Sequence, residues 1–293
     1  MTGWLVTNAF LHTKKFEDLY NSFHASAQEL EIDLKHFTSA QLSCEISSDF
    51  AQFGPRPDFV LFWDKDVYLA RRLEGAGLRL FNSAHAIATC DSKAQTALAL
   101  VGKVPTPPTI IAPKTFDNIG YTDTAFIKSA ANTLGLPMVI KEEYGSFGQQ
   151  VYLARTLVDA EKIACGLNGK TFVMQQFIAE SVGRDIRVNV VGGKVVCAML
   201  RQSDTDFRSN VTLGGTTAPY ALTAEEQRVA LAAVKAVGAD FAGVDILFGK
   251  DGPLVCEVNS NPQFKSTLDC TGIDLSKHIF QYVLDCVKNS ATR

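Results

Sequence analysis

A strict alternation of polar and apolar residues runs through residues 185–191 and constrains the fold more than any other segment. Successive side chains of a β-strand point to opposite faces, so this pattern predicts a half-buried strand. Gly192 and Gly193 then provide a hairpin turn, and residues 194–200 return as a second strand. The last third of the chain is therefore expected to contain an antiparallel sheet.

A second hairpin is predicted across residues 242–258, with its turn centred on Asp251. Pairing about that residue sets Asp245 opposite Glu257, and Asn259 lies two residues further on the same strand face. Two acids opposed on a sheet repel each other unless something compensates their charge. A divalent cation with oxygen ligands would do so, whereas the alternative is a solvated pair of acids. The spacing alone leaves both interpretations open.

The first 89 residues have a different pattern. Strand-like runs alternate with helical spacing, at residues 3–7, 16–30, 32–37, 59–62, 67–73 and 78–81. Such alternation predicts a small parallel sheet covered by helices on both faces. Residues 82–90 are interpreted as a connector into a second lobe.

Three lobes follow from this division, comprising residues 1–89, 90–178 and 179–293. In the middle lobe, helices are predicted at residues 92–101, 122–134 and 157–165, and strands at 137–141, 150–153 and 171–177. In the last lobe, Thr223 and Glu226 form a capping box that predicts a helix ending at Gly238. The fold class is therefore α/β, with individual lobes of the α+β kind.

Composition narrows the range of partners and cellular locations expected for the protein. Lys and Arg total 28 against 31 Asp and Glu, whereas proteins that bind nucleic acid mainly through phosphates are normally basic. No stretch of about 18 uncharged apolar residues predicts a membrane span. The 7 cysteines form no Cys-x-x-Cys pair, which is typical of reduced thiols. We expect a cytoplasmic protein with no nucleic-acid or membrane partner.

Two groups of residues are candidates for binding anions. Lys141 ends a predicted strand and precedes the glycine turn 145–148, a pattern that can hold phosphates by charge and by backbone N–H groups. The alternative is a plain hairpin turn beside a surface lysine. Arg184, Arg187, Arg201 and Arg208 suit phosphates and carboxylates, although by count alone surface ion pairs are the more common explanation of such a set. Neither a Gly-x-Ser-x-Gly elbow nor a His-Glu-x-x-His motif is present.

Eight short segments along the chain are more informative in their order than any one of them is alone. They are Met138-Val-Ile-Lys141, Gly145-Ser-Phe-Gly148, Met174-Gln-Gln-Phe-Ile178, Gly183-Arg-Asp-Ile-Arg187, Asp206-Phe-Arg-Ser-Asn210, Gly214-Gly215, Ala242-Gly-Val-Asp-Ile-Leu247 and Glu257-Val-Asn259. In this order they resemble an ATP-grasp enzyme of the RimK/LysX type, the carboxylate–amine ligases that include glutamate ligases. The resemblance extends from about Cys90 to Leu275, and the first lobe is similar in layout to a pre-ATP-grasp lobe.

The resemblance implies a set of nucleotide-binding residues. Lys93 and Lys141 would contact phosphates of ATP, and a loop of Gly145, Ser146, Phe147 and Gly148 would close over them. The other residues implied to bind ATP are the adenine-reading hinge Gln175, Gln176, Phe177 and Ile178, the ribose-binding Asp185, and Arg187.

The resemblance also implies the reacting end of the site. Asp245, Glu257 and Asn259 would hold Mg2+, with Mn2+ as an alternative, and the residues around the transferred phosphate and acyl group would be Arg201, Arg208 and Asn210. ATP would convert a carboxylate into an acyl phosphate, which an amine then attacks, with release of ADP and phosphate. Such chemistry depends on positioning and charge neutralisation and needs no enzyme nucleophile.

The implied substrates are small-molecule or peptide carboxylates and amines, of the amino-acid or glutamate type. Two alternatives are a nucleotide-binding ATP-grasp module with a scaffold or regulatory role, and a D-alanine–D-alanine-type ligase. The resemblance is also compatible with a homo-oligomer. One departure concerns the substrate: after Asn259 the family usually continues with a small residue, Pro and Gly, whereas Gln263 and Phe264 stand here. Both are expected to lie where substrate binds.

Overall fold

A computed structural model describes residues 1–146, 148–209 and 214–291. Its first sheet contains β1 (Thr2–Thr7), β2 (Asp33–Thr38), β3 (Phe59–Trp63) and β4 (Leu80–Phe81), accompanied by α1 (Lys14–Glu29), α2 (Val67–Gly75) and α3 (Ala84–Asp91). The sheet is parallel, as predicted, with the order β2-β1-β3-β4. All five residues of β3 are buried, as expected for a strand covered on both faces.

The predicted connector at residues 82–90 is largely helical, because it forms most of α3. Ser83 caps this helix by accepting a hydrogen bond from the backbone N–H of Ala86. Asn82, just before the cap, is fully buried and donates to the carbonyl oxygens of Phe241 and Ser260 at 2.9 Å each. The connection between the lobes is thus a hydrogen-bonded structural joint rather than a loose linker.

The second sheet belongs to the middle of the chain. It contains β5 (Thr109–Ile111), β6 (Met138–Glu142), β7 (Val151–Ala154) and β8 (Phe172–Gln176), in the antiparallel order β5-β8-β6-β7. Helices α5 (Ala125–Leu134) and α6 (Leu157–Gly166) cover one face, and α4 (Lys93–Leu100) precedes the sheet. Ile127, Ala160, Phe172 and Met174 belong to a hydrophobic core that this lobe keeps to itself.

The third sheet contains β9 (Arg184–Val191), β10 (Lys194–Gln202), β11 (Thr216–Pro219), β12 (Phe241–Gly249) and β13 (Gly252–Asn259). Its order is β11-β10-β9-β12-β13, and all its pairings are antiparallel, as predicted. The helix predicted after Thr223 is α7 (Ala224–Val237), with the capping box to Glu226 in place and Gly238 in the left-handed conformation at φ +71°. Ile186, Val188 and Val190 on one face of β9 share a core with α7.

The prediction that β9 is half-buried is wrong, because its polar face is buried as well. Asp185, Arg187 and Asn189 are 7%, 9% and 1% exposed. β9 is the central strand of its sheet, and the face opposite α7 is covered by other parts of the chain, such as Thr267, whose hydroxyl lies 3.3 Å from the amide nitrogen of Asn189. The alternation therefore marks a polar interior rather than a solvated surface.

Two C-terminal helices complete the fold, α8 (Lys265–Thr271) and α9 (Leu275–Ala291). α9 packs on α1 of the first lobe, where the hydroxyls of Ser26 and Ser276 are 2.6 Å apart. Phe264 is 1% exposed and joins Phe23 and Trp63 in one aromatic core, so the expectation that it lies at the substrate is wrong. The first and last segments of the chain thus share a core, while the three-lobe boundaries remain a prediction.

Candidate active site

A cavity of about 720 Å³ lies where the three sheets meet. Most of the predicted site residues line it: Lys93, Lys141, Gly145, Ser146, Gly148, Gln176, Phe177, Ile178, Asp185, Arg187, Arg201, Arg208, Asp245, Glu257 and Asn259. Phe147 and Asn210 lie outside the described residues. Gln175 lies instead beside a smaller neighbouring cavity of about 30 Å³. Residues chosen from widely separated segments are therefore brought to one place.

The two opposed acids of the second hairpin face each other as predicted, but for a different reason. Near the turn Gly249 pairs with Gly252, a register that would set Asp245 opposite Cys256. A β-bulge then shifts the pairing by one residue, so that Asp245 lies opposite Glu257. Cys256 and Glu257 both line the cavity as a result.

Two arginines and two aspartates form a buried checkerboard on this sheet, which we call the arginine–aspartate lattice. Asp185 lies opposite Arg201 across β9 and β10, and Arg187 lies opposite Asp245 across β9 and β12. Arg201 donates from Nε to Asp185 at 2.7 Å, and its Nη2 lies 3.0 Å from Asp245 Oδ2. Arg187 holds Asp245 through Nε and through Nη2, the latter at 3.0 Å. Every member is less than 10% exposed.

The lattice has a clear electrostatic consequence for Asp245. Burial alone would raise the pKa of its carboxyl, but the charges and hydrogen bonds of Arg187 and Arg201 hold that pKa below its ordinary value. The same aspartates raise the pKa of Arg201 despite its burial. The repulsion between Asp245 and Glu257 is therefore already offset by arginines, so no cation is required to explain it.

The predicted metal ligands are nevertheless chemically suited to Mg2+. Asp245, Glu257 and Asn259 offer carboxylate and amide oxygens, the donors that this ion prefers, and two carboxylates with nucleotide phosphates complete its usual coordination. The amide nitrogen of Asn259 is buried without a hydrogen-bond partner among the described residues. Within the described ranges, no group of three or more His, Cys, Asp or Glu side chains is arranged to hold a metal by itself. Phosphate oxygens would therefore have to supply part of the coordination.

Two lysines converge on one end of the cavity. Lys141 Nζ, at the end of β6, donates to Gln175 Oε1 at 2.7 Å and lies 3.3 Å from the Cys256 thiol. Lys93 begins α4, and its Nζ donates to the carbonyl oxygen of Gly145 at 3.3 Å. Burial and the positive charge of Lys141 lower the pKa of Lys93, against the opposing effect of Glu257. Two close cations beside backbone turns suit a polyphosphate.

The glycine turn is held by side chains from both neighbouring lobes. Ser146 Oγ accepts a hydrogen bond from Lys65 at 3.1 Å, and Arg208 Nη1 donates to the carbonyl oxygen of Gly148. Gly148 has a φ of +72°, which favours glycine. Arg208 is also fixed by Asp206, from Nε at 2.9 Å and from Nη2 at 2.7 Å. The loop therefore covers the lysine end of the cavity.

The predicted adenine hinge comprises the last two residues of β8, Gln175 and Gln176, and the two residues that follow. The backbone N–H of Gln176 donates to the carbonyl oxygen of Pro108 at 2.9 Å, which ties the hinge to the segment before β5. Phe177 packs against Phe207 with ring centroids 6.3 Å apart. Phe177 and Ile178 line the cavity, whereas the side chain of Gln175 is directed to Lys141 and Thr109.

Sequence reasoning missed the side of the cavity that the first lobe provides. Asn8 and Asp64 follow the carboxyl ends of β1 and β3, and the Asn8 amide donates to Asp64 at 3.1 Å. Lys15 and Tyr20 of α1 line the same cavity. Gln263, expected from the sequence where substrate binds, also lines it, and its Oε1 is buried without a partner in the described part of the chain. Ligands bind at the carboxyl edge of parallel strands, and that rule could have identified Asn8 and Asp64.

The cavity concentrates positive charge, although the chain has a net charge of -3. Its basic lining residues are Lys15, Lys65, Lys93, Lys141, Arg184, Arg187, Arg201, Arg208 and Lys265. Its acidic lining residues are Asp64, Asp185, Asp245, Glu257 and Asp269. Such a cleft favours anionic ligands over neutral or cationic ones.

Comparison with known proteins agrees with this geometry. A family model described as the RimK-like ATP-grasp domain matches residues 91–283. A probable alpha-L-glutamate ligase of Shewanella frigidimarina is 40% identical over 186 residues, which is 60% of this chain and 62% of that protein. Human N-acetylaspartylglutamate synthase A is 35% identical over 234 residues, 78% of this chain and 58% of that protein. The chain thus matches less than two-thirds of the length of either relative.

Solved structures support the fold. The D-cycloserine synthetase DcsG superimposes with a TM-score of 0.77 at 17% identity, covering 98% of this chain and 100% of that one. The D-alanine–D-alanine ligase of Bacillus anthracis, in complex with ATP, gives 0.70 at 18% identity and covers 99% of each chain. At these identities the likeness concerns the fold alone.

Proposed function

Because the chain belongs to the RimK-like ATP-grasp family and is an ATP-dependent carboxylate–amine ligase, we propose that it activates its acid substrate as an acyl phosphate. An amine then displaces the phosphate to form an amide, and ADP and phosphate leave. The observation that carries this proposal is the set of charged groups that share one cavity. Phosphate-suited lysines, a buried arginine–aspartate lattice and side chains of the first lobe all line it.

The lysine end is the proposed ATP site. Lys93 lies at the start of α4 and Lys141 near the end of β6, and the glycine turn lies beside them, since Lys93 donates to the carbonyl oxygen of Gly145. We assign the phosphates of ATP to this pair and the adenine to the hinge at Gln175–Ile178. Asp185 already accepts a hydrogen bond from Arg201. To bind the ribose, its carboxylate would either hold Arg201 and a ribose hydroxyl together or exchange Arg201 for the hydroxyl.

We propose Asp245, Glu257 and Asn259 as the residues that would hold Mg2+, or Mn2+, when nucleotide is bound. A bound divalent cation would supply charge neutralisation at the β- and γ-phosphates. The protein's own contribution is to fix Asp245 through Arg187 and Arg201, so that one carboxylate is already held in place before any ligand binds.

The reacting carboxylate and the transferred phosphoryl group are both anions, so their approach needs compensating charge. Arg201, which belongs to the lattice, and Arg208, which contacts the glycine turn, both line the cavity. Arginine suits this role because its planar guanidinium binds carboxylates and phosphates with two parallel hydrogen bonds. We therefore assign these two residues, together with Asn210, to stabilising charge in the transition state.

The relatives are named for ligases that act with glutamate or form N-acetylaspartylglutamate, so we propose an amino acid of the glutamate type as one substrate. The positive cleft is consistent with an acidic substrate. We also propose a cytoplasmic location, since all seven cysteines are free thiols. In the described ranges, none of the helices combines the length and the apolar character that crossing a membrane requires.

A phosphate-release screen tests the reaction. The protein is incubated with ATP, Mg2+ and a panel of amino acids and dipeptides, and active combinations are analysed by mass spectrometry and nucleotide chromatography. We expect an amide product together with ADP, and a hydroxamate when hydroxylamine replaces the amine. AMP and pyrophosphate as the nucleotide products would rule out the acyl-phosphate route.

A further inference from the structure

A glutamine with an unpaired oxygen atom lines the cavity. Gln263 lies between β13 and α8, and its Oε1 is buried without a hydrogen-bond partner in the described ranges. Four side chains of those ranges have a buried polar atom in this condition, and two of them, Asn259 and Gln263, line the cavity. A buried acceptor that lacks a donor costs free energy, because it has given up its hydrogen bonds to water. The donor for Gln263 is therefore expected on a ligand.

The chain on both sides of Gln263 is anchored to the first lobe. Two residues before it, the side-chain amide of Asn261 donates to the backbone carbonyl oxygen of Asp64 at 3.1 Å. One residue after it, the buried ring of Phe264 packs edge-on against Trp63, with ring centroids 6.0 Å apart. The backbone at Gln263 is thus held in place before a ligand binds, as precise recognition requires.

The residue next to Gln263 also contacts the arginine–aspartate lattice. Pro262 and Arg187 both approach Gly243 of β12, where an added side chain would meet Pro262 at 2.9 Å and Arg187 Nη1 at 3.1 Å. The glycine therefore makes room for both residues at this point. Gln263 thus enters the cavity where the third sheet meets the first lobe.

The unpaired oxygen requires a hydrogen-bond donor, which most groups of the proposed ligands lack. Phosphates and ionised carboxylates are acceptors only, so neither can pair with Gln263 Oε1. The lysines and arginines of the cavity suit those anions instead. The donors of ATP, on adenine and ribose, are assigned to the hinge and to Asp185. The donor that remains is the nitrogen of the amine substrate.

Gln263 also suits an amine because its side chain is neutral. An amine attacks an acyl phosphate as the free base, with its lone pair available. A carboxylate beside the nitrogen would stabilise the protonated form and raise the pKa of the amine. A carboxamide oxygen accepts a hydrogen bond from an N–H group without adding a negative charge, so it can orient the nitrogen and leave it able to lose a proton.

We propose that Gln263 is a specificity-determining residue for the amine substrate, and that its Oε1 accepts a hydrogen bond from the amino group of an amino acid of the glutamate type. The amine then binds where the third sheet meets the first lobe, apart from the lysines assigned to ATP. The inference rests on the proposed function, since it concerns the same cavity, and it adds which side chain selects the amine.

Two probes that differ only in the amino group test this assignment, L-glutamate and glutarate. Isothermal titration calorimetry measures their binding to the full-length protein saturated with Mg–AMPPNP. The wild type should bind L-glutamate about tenfold more tightly than glutarate, the effect of about one hydrogen bond. Gln263→Met is similar in size but lacks the oxygen, so it should reduce this ratio to about two.

The outcomes of this titration separate the subsite from the proposed function. The same preference for L-glutamate in the wild type and in Gln263→Met would overturn the role of Gln263 alone. Absence of binding by both probes to the wild type would contradict the proposed glutamate-type substrate, and the subsite with it.

Thermal unfolding without ligands tests whether Gln263 has a structural role instead. Gln263→Met should leave Tm unchanged or raise it by about 2 °C, because it removes a buried oxygen that has no donor. A fall in Tm by more than about 2 °C would show that the oxygen stabilises the protein without a ligand, and would overturn the assignment.

Kinetics with the substrates found in the phosphate-release screen give a further measurement. Gln263→Met should raise the KM of the amine about tenfold while leaving the KM of ATP unchanged, and Gln263→Glu, which keeps an acceptor oxygen, should recover most of the loss. Gln227→Met alters an exposed glutamine of α7 and is the matched control that should change neither constant. An equal rise of both KM values in Gln263→Met, or an equal loss in Gln263→Met and Gln263→Glu, would contradict the role of Gln263 as an acceptor for the amine.

Discussion

The arginine–aspartate lattice and the glycine turn lie in the same cavity but are built in opposite ways. The lattice consists of four charged residues on three hydrogen-bonded strands, and each residue is less than 10% exposed. The turn joins β6 to β7, its Tyr144 is 54% exposed, and cross-lobe contacts come from single side chains such as Lys65 and Arg208. The lattice holds its charges in place before a ligand binds, whereas the glycine turn can release its contacts at a low cost in free energy.

This difference matches the demands of the proposed reaction. The reacting centre must hold two anions in a defined geometry, which requires charges that do not rearrange. The nucleotide must enter and leave, which requires a cover that opens. Four measurements test this distinction.

Asp245→Asn should lower the free energy of unfolding by about 3 kcal/mol, because it leaves Arg187 and Arg201 buried without their shared carboxylate. Glu257→Gln, which changes the opposed acid outside the lattice, is the control and should cost at most about 1 kcal/mol. Urea unfolding followed by circular dichroism measures both. Equal stability of the two variants would show that the lattice does not contribute to the fold.

Arg208→Ala should reduce kcat about 100-fold, because a guanidinium aimed at developing charge acts mainly in the transition state. ATP affinity should fall much less, since Arg208 contacts the turn rather than the lysines. Arg228→Ala, which alters an exposed helical ion pair with Glu225, is the matched control. A loss of ATP affinity as large as the loss of kcat would place Arg208 in ground-state binding instead.

Lys141→Ala should weaken ATP binding by about 2 kcal/mol, the scale of a lost charge-assisted contact to phosphate. Lys170→Ala removes a lysine of the same lobe whose side chain is 64% exposed and pairs with Glu142, and it should leave the affinity unchanged. Isothermal titration calorimetry with AMPPNP gives both values. An unchanged dissociation constant for Lys141→Ala would contradict the assignment of the lysine end to phosphates.

Hydrogen exchange compares the glycine turn with the lattice directly. Of the four measurements, it is expected to report the smallest change in free energy. Peptides covering residues 144–150 should exchange quickly without nucleotide and slow down when Mg–ATP binds, because the turn closes over the phosphates. Peptides covering β9 should be protected in both states and serve as the internal reference. Identical exchange of residues 144–150 with and without nucleotide would show that the turn does not respond to ligand.

Several features of the molecule could be predicted from the sequence. The predicted family, fold class and enzyme class are confirmed. The order of the motifs along the chain was sufficient to indicate all three. The pairing of Asp245 opposite Glu257 is also confirmed. The turn of this hairpin is one residue shorter than the sequence analysis assumed, and a bulge at Cys256 compensates for the difference. Local spacing cannot reveal a bulge, since the extra residue looks like any other strand residue.

Other features depend on contacts between distant segments, which no local pattern contains. The polar face of β9 has the periodicity of a solvated strand, and only tertiary packing buries Asp185 and Arg187. Phe264 follows a metal-site motif in sequence, yet its ring belongs to the core beneath α1. The roles of the individual site residues stay predictions. Asn8 and Asp64, at the carboxyl edge of the first sheet, belong to no motif, so no local pattern indicates them.

The packing of α9 on α1 determines which part of the molecule can act as a lid. Leu275, Ile279 and Phe280 join the core of the first lobe to Phe241 of the third sheet, so these two lobes form one body. The middle lobe keeps its own core and is joined to that body through residues 101–108 and 177–183. We therefore expect that a rotation between lobes would move the middle lobe about these two connections, and that shortening α9 would loosen the packing of the first lobe against the third sheet.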